Sequence, residues 1–250
     1  MDRRRWLFHL AGFVAGAALN RLAAAAGEHG DESSAARRDT VVVVHGLWMN
    51  GLENGVLRHR LSSEHGFFAT PFDYQSVSAG LDENVRLLTQ FLAEFPGDTL
   101  HLVGHSLGGL LLLHAQQRQP DPRPGRIVCL GSPLRGSRAA KALAGLPFGE
   151  EILGATIRDA VLSGGLSAWR GQREVGVIAG TLAAGLGVLF SELPEPNDGT
   201  VAVDETRLPG ITDHLQLKVS HTGLLFDDQV AAQTAYFLRH GVFERSVVAV

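Results

Sequence analysis

One cysteine, Cys129, is all the chain carries, so no intrachain disulfide can form. It lies in the apolar run Ile127-Val128-Cys129-Leu130 and reads as a small buried hydrophobe, not a reactive thiol. Nowhere do Cys and His cluster at zinc-ligand spacing, and no phosphate-binding glycine loop is present. An excess of positive charge is missing as well: a formal charge of -4 offers no electrostatic footprint for nucleic acid. Charged residues are scarce, 19 % against 45 % hydrophobic, which excludes a disordered chain. The apolar run from Trp6 to Leu19 is rich in Gly and Ala and contains His9, which makes it a weak candidate for a permanent membrane span. What is left is a globular chain of 250 residues, a length at which one α/β domain buries a sizeable core.

The N-terminus differs from everything after it. Asp2-Arg3-Arg4-Arg5 is a basic start, Trp6 to Leu19 is moderately apolar, and Ala23 to Ala26 offers small residues for cleavage, the build of a signal peptide. Asp2-Arg3-Arg4-Arg5-Trp6-Leu7 is also similar to the twin-arginine export pattern, with Asp and Trp where Ser and Phe are usual. Gly27 to Asp39 is polar and aperiodic, a linker. Residues 1–39 are therefore expected to be a leader and linker, and residues 40–250 the folded domain. The expected location is exported, periplasmic or membrane-associated, with transient membrane contact through the leader. The alternative is a cytoplasmic chain with an amphipathic leader.

From Thr40 the chain alternates strand and helix. Thr40-Val41-Val42-Val43-Val44 is an unbroken β-branched run, the mark of a strand buried on both faces of a parallel sheet. A helix over Gly55–Ser63 and a short strand over Phe67–Phe72 follow. Leu81, Val85, Leu88, Leu92 and Phe95 then recur at helical spacing until Pro96-Gly97. Leu100 to Leu112 reads as buried strand, forced turn and buried helix, and Arg126 to Leu130 as the next buried strand. Ala139 to Gly171, broken by glycines, is either a small cap over the site or ordinary outer packing. Glu174 to Ala179 is a further strand. Thr181 to Phe190 either lines an acyl pocket or packs as loop. His214 to Val219 alternates as a last strand with one wetter face, and Val230 to Leu238 is the terminal helix. This rhythm means a parallel sheet with right-handed crossovers, whose ligands bind at the carboxyl ends of the strands.

The forced turn is Gly104-His105-Ser106-Leu107-Gly108, a G-x-S-x-G nucleophile elbow between an apolar strand and an apolar helix. Gly104 and Gly108 lack Cβ atoms where strand and helix must approach, and His105 is the variable position. Ser106 is thereby exposed at the tip, with the first helical N–H groups aimed at whatever its hydroxyl attacks. His45-Gly46-Leu47 follows the first strand, and its turn leaves the Leu47 N–H free to donate. A serine hydroxyl needs a base. Most of the eleven histidines have blander places: His9 in the leader, His59 and His65 toward solvent, His101 inside a strand, His214 at a strand start, His240 by a helix C-terminus. His221, in a loop after the last strand, fits the Ser…Asp…His order. The orienting carboxylate is Asp198, in the Asn197-Asp198-Gly199 turn, or its competitor Asp204.

Val-His-Gly-Leu, Gly-His-Ser-Leu-Gly-Gly, Gly-Ser-Pro-Leu-Arg-Gly-Ser, Asn-Asp-Gly-Thr-Val and Ser-His-Thr-Gly, in that order, resemble the bacterial serine lipases and esterases of the α/β-hydrolase fold over about residues 40–240. The resemblance implies Ser106 as nucleophile, Asp198 as acid, His221 as base, and the backbone N–H groups of Leu47 and Leu107 as oxyanion hole. It implies hydrolysis of a small-molecule ester or lipid through an acyl-enzyme, with no metal or organic cofactor. The two antiparallel strands that usually lead this fold have no counterpart before Thr40, so a mostly parallel sheet of about six strands, flanked by helices, is expected. A thioesterase or acyltransferase would use the same residues, and a catalytically silent binding module would share the fold.

Overall fold

The computed structural model describes residues 39–184 and 193–245. The expected leader and most of the linker, residues 1–38, lie outside the described residues, as do residues 185–190 of the Thr181–Phe190 stretch.

The β-branched and apolar runs form the strands β1 (Thr40–Val44), β2 (Phe68–Phe72), β3 (Leu100–His105), β4 (Ile127–Leu130), β5 (Val175–Gly180) and β6 (Asp213–Leu217). They make one six-stranded sheet in the order β2-β1-β3-β4-β5-β6, parallel throughout. The inner strands β1, β3, β4 and β5 are buried along their whole length. β6 begins and ends earlier than the sequence suggests, because Thr181 and Leu182 take up the Leu217 and Val219 carbonyls beyond it and the chain then turns away.

Helices cover both faces. α1 (Gly55–Ser63) and α7 (Asp228–His240) pack on the side reached by Val41, Val43, Val103 and Val128. α2 (Leu81–Glu94) and α3 (Leu107–Arg118) pack on the side reached by Val42, Val44, Leu102 and Cys129, as the alternation of side chains along a strand requires. Each leucine buried this way, such as Leu57, Leu88 or Leu111, contributes roughly 1.5–3 kcal/mol. Burial also pushes the Cys129 thiol up to about 12, so it behaves as the small hydrophobe its context suggests. Two further helices, α4 (Arg138–Ala144) and α5 (Gly149–Ile157), follow β4, and α5 runs on into a wide turn over Arg158–Leu162. A four-residue helix, α6 (Val203–Thr206), precedes β6. Among the described residues no helix is long and apolar enough to cross a membrane.

β3 carries two buried histidines, His101 and His105. Desolvation, the largest cause in both, lowers them to about 4 and about 3. An unfolded chain protonates such rings near 6.5, so below that value the unfolded state binds more protons than the folded one. Stability present above pH 6.5 is thus lost as pH falls toward 4, by about 2 kcal/mol for each of the two rings at pH 5. Urea unfolding at pH 7.5 and pH 5 should show that fall, and equal stability at both would contradict it.

Candidate active site

β3 delivers the chain into a turn that few side chains adopt. Ser106 has φ 53° and ψ −120°, the conformation of the first central residue of a type II′ turn, where glycine is the usual occupant. Strain of this kind costs about 1–3 kcal/mol and persists only where the surroundings enforce it. Here the Ser106 N–H donates to the Leu130 carbonyl at 2.8 Å, and α3 starts at the next residue. The elbow glycines are required by crowding: a Cβ on Gly104 would lie 2.4 Å from the Gly109 nitrogen, and one on Gly108 would lie 2.4 Å from the Val44 carbonyl oxygen.

The turn after β1 sits directly on this elbow. A Cβ on Gly46 would come within 3.2 Å of the Ser106 Cβ. His45 holds that turn in place. Its Nδ1 pairs with the Gly46 carbonyl at 2.8 Å, its Nε2 accepts from the Tyr74 N–H at 3.2 Å, and its ring stacks on Tyr74 at 4.4 Å. Accepting at Nε2 and donating at Nδ1 requires a neutral ring, and burial lowers the His45 pKa accordingly. The backbone N–H groups of Leu47 and Leu107 donate to no group among the described residues.

His221 and Asp198 meet beside the elbow. The His221 Nδ1 bonds the Asp198 Oδ2 at 2.8 Å, and the His221 N–H donates to the Asp198 carbonyl at 2.9 Å. Asp198 is 1 % exposed and His221 9 %. The other carboxylate oxygen, Oδ1, accepts from the N–H groups of Thr200 at 2.9 Å and Val201 at 2.7 Å. Both oxygens are therefore committed, and with Nδ1 donating, the His221 Nε2 is left with a lone pair. Ser106 and His221 line the same cavity without a hydrogen bond between them; such bonds are often long before substrate binds. Asp204 is elsewhere. It is exposed, and both its oxygens are held by Arg138, at 2.9 and 2.8 Å, which keep its carboxyl below the usual range. Neighbouring Glu205 is buried and receives the N–H groups of Arg138 and Ala202, tying the start of α4 to the chain beyond Asp198.

Sequence reasoning missed the parts of His105 and Glu205, and it brought the Gly131-Ser132-Pro133 turn to the site without a part for Gly131. His105, read as a variable position, is buried with its Nε2 3.0 Å from the His221 carbonyl and its ring 4.8 Å from the imidazole. Burial keeps that ring neutral, so Nε2–H donates and ties the elbow to the His221 loop. Gly131 lies at φ 55° against the acid–imidazole pair: a Cβ there would stand 3.0 Å from the Asp198 Oδ2 and 3.1 Å from the His221 Nδ1. The signal for it was its position, immediately after a buried strand in Gly131-Ser132-Pro133. Glu205 had no signal beyond being acidic. Of the histidines expected at the surface, His59 is exposed, but His65 is half-buried, its carbonyl bound by Arg239.

The cavity above Ser106 measures about 210 Å³. Leu47, His221 and Thr222 form part of its wall, and Ala140 and Leu143 of α4 with Leu153 and Ile157 of α5 form another part. The stretch expected as cap or outer packing therefore closes over the site. Among the described residues no group of three or more His, Cys, Asp or Glu side chains is placed to hold a metal ion.

A family model described as the alpha/beta hydrolase family matches residues 41–242. No curated protein matches the chain. Among solved structures, the mature form of the Bacillus licheniformis lipase BlEst2 shares 20 % identity, with 86 % of this chain and 94 % of that one covered and a TM-score of 0.60. The metagenomic carboxyl esterase MGS0156 shares 17 % identity, covering 80 % and 75 %, at a TM-score of 0.61. The RedJ thioesterase of the prodiginine biosynthetic pathway in Streptomyces coelicolor shares 15 %, covering 84 % and 90 %, at 0.56. At these identities the three share the fold with this chain.

Proposed function

Because the chain belongs to the alpha/beta hydrolase family, we propose that it is a serine esterase that cleaves carboxylic esters through an acyl-enzyme on Ser106. One observation carries this reading: His221, bonded to the buried Asp198, lines the cavity into which a strained turn lifts Ser106. The Ser106 Oγ attacks the ester carbonyl carbon as its proton passes to the His221 Nε2. Asp198 holds the imidazole in the tautomer that can accept it and stabilises the imidazolium that results. The carbonyl oxygen, now an anion, is bound by the N–H groups of Leu47 and Leu107, one such donor being worth about 3 kcal/mol of transition-state stabilisation. Collapse of the tetrahedral intermediate expels the alcohol, which takes the proton from His221. Water then attacks the acyl-enzyme and gives a proton to the same nitrogen, and as the acyl–Oγ bond breaks that proton returns to the Ser106 Oγ and the acid is released. The N-terminal leader is proposed to direct export, which Arg3→Lys/Arg4→Lys would block in cell fractionation.

A fluorophosphonate tests the nucleophile directly. The adduct mass should appear on the peptide that contains Ser106, at one per chain. Labelling of another residue, or none of folded protein, would remove the esterase reading.

Gly131 offers a second test, because its substitution removes no reacting group and changes only their positions. Gly131→Ala must push Asp198 and His221 apart while holding alanine at a positive φ. Displacements of about 1 Å in such a constellation cost about a hundredfold. Shifts of a few tenths of an ångström should lower kcat/KM for p-nitrophenyl hexanoate several-fold, up to about that factor, and unchanged turnover would show that the pair tolerates displacement.

A further inference from the structure

The cavity over Ser106 is as informative for what it lacks as for its size. Among the described residues that line it, none is Asp, Glu, Lys or Arg. Its polar side chains include His105, Ser106 and Ser137, and Thr200, His221 and Thr222 from the chain that carries Asp198 and His221. The segment after β4 contributes an apolar set: Ala139, Ala140, Leu143, Leu153, Ile157 and Val161. Ser137, the hydroxyl nearest to these in sequence, already accepts the Ala140 N–H at 3.1 Å as the cap of α4. A wall this apolar, with Ser137 its one hydroxyl, favours methylenes over charged groups.

The two halves of an ester have different needs. The alcohol must leave from beside the His221 Nε2, and the hydrolytic water must enter at that same nitrogen, which suits the polar residues. The acyl chain stays on Ser106 through both steps and suits the apolar set. Size then limits its length. An apolar cavity of about 150 Å³ accommodates benzene, roughly 25 Å³ for each carbon. By that measure about 210 Å³ takes at most about eight carbons, any part of the alcohol held in the cavity included.

We propose that the cap makes this protein selective for uncharged, unbranched acyl groups of medium length, six to eight carbons, with Ala140 and Leu143 setting the limit. The inference rests on the serine-esterase reading and adds to it the class of acyl donor. α4 presents both residues to the cavity, so a larger side chain at Ala140 shortens the space and a smaller one at Leu143 lengthens it.

The test is a series of p-nitrophenyl esters from acetate to palmitate, each below its solubility limit, alongside octanoate esters of alcohols of increasing length. kcat/KM should rise about fourfold for each added methylene up to six to eight acyl carbons. It should then fall at least tenfold by palmitate, while the alcohol series varies by less than threefold. In Ala140→Phe the octanoate-to-butyrate ratio should drop at least tenfold, a ratio insensitive to general loss of active enzyme. If that variant does not fold, Leu143→Ala serves, with its optimum moved to longer chains by two carbons or more. An optimum at acetate or at twelve carbons and beyond, a flat acyl series, or dependence on the alcohol alone would overturn the proposal while fluorophosphonate labelling of Ser106 left the esterase reading standing. Absence of both turnover and labelling would overturn the two together.

Discussion

Ser106→Ala should lower kcat for p-nitrophenyl hexanoate by about 10⁶, the cost of removing the nucleophile from a triad that works as a unit. The loss should come without unfolding. Alanine meets the same φ of 53° as serine and leaves the hydrogen bond from residue 106 to the Leu130 carbonyl in place. Its Tm and far-UV circular dichroism should therefore match those of the parent. Ser106→Gly sharpens the point, because glycine occupies a type II′ position without steric cost. That variant should be equally inactive yet more stable, by about 1 kcal/mol or more as the strain is relieved. Hydrolysis within tenfold of the parent in either variant would mean the chemistry lies elsewhere. Loss of activity together with a large fall in Tm would mean that the serine holds the turn, not the reaction.

Asp198→Asn should cost about 10⁴ in kcat, the effect of presenting the base in the wrong tautomer. An amide at this position can still accept the Thr200 and Val201 N–H groups through its oxygen. Its NH2 then faces the His221 Nδ1, which must accept instead of donate. The ring proton moves to Nε2, the nitrogen that should receive the serine proton. Asp204→Asn should stay within about tenfold. Its carboxylate is exposed and paired to Arg138, and exposed ion pairs contribute about 0–1 kcal/mol. Steady-state kinetics on both variants decides the matter. The reverse ranking would transfer the orienting role to Asp204, and near-parental activity in both would mean that Ser106 and His221 suffice.

Chain order alone could not choose between these two carboxylates, since both lie between β5 and β6 and both precede His221. The choice depends on which one the loop after β5 folds back onto the His221 loop. That is decided by Gly180, whose missing Cβ leaves room 2.7 Å from the Asp198 Cβ, and by the two N–H groups that hold the Asp198 carboxylate. The role of His105 was hidden for a related reason. Its partner is the backbone carbonyl of a residue 116 positions away, and backbone partners leave no trace in residue type.

The elbow, by contrast, was legible because its constraints are local. Gly104, Ser106 and Gly108 are dictated by the crossing of one strand and one helix that are adjacent in the chain, and periodicity identifies both elements. The parallel sheet was legible for the same reason: fully buried β-branched runs separated by helical ones leave few other arrangements. Sequence by itself thus determined the fold and its strand count, and offered Ser106 and His221 as candidates at strand ends. Tertiary structure alone decided which carboxylate faces His221, which glycine leaves room for that pair, and that α4 and α5 line the cavity. These depend on distances between segments far apart in the chain, and they follow from packing volume and from backbone hydrogen bonds, neither of which is written in the spacing of residues.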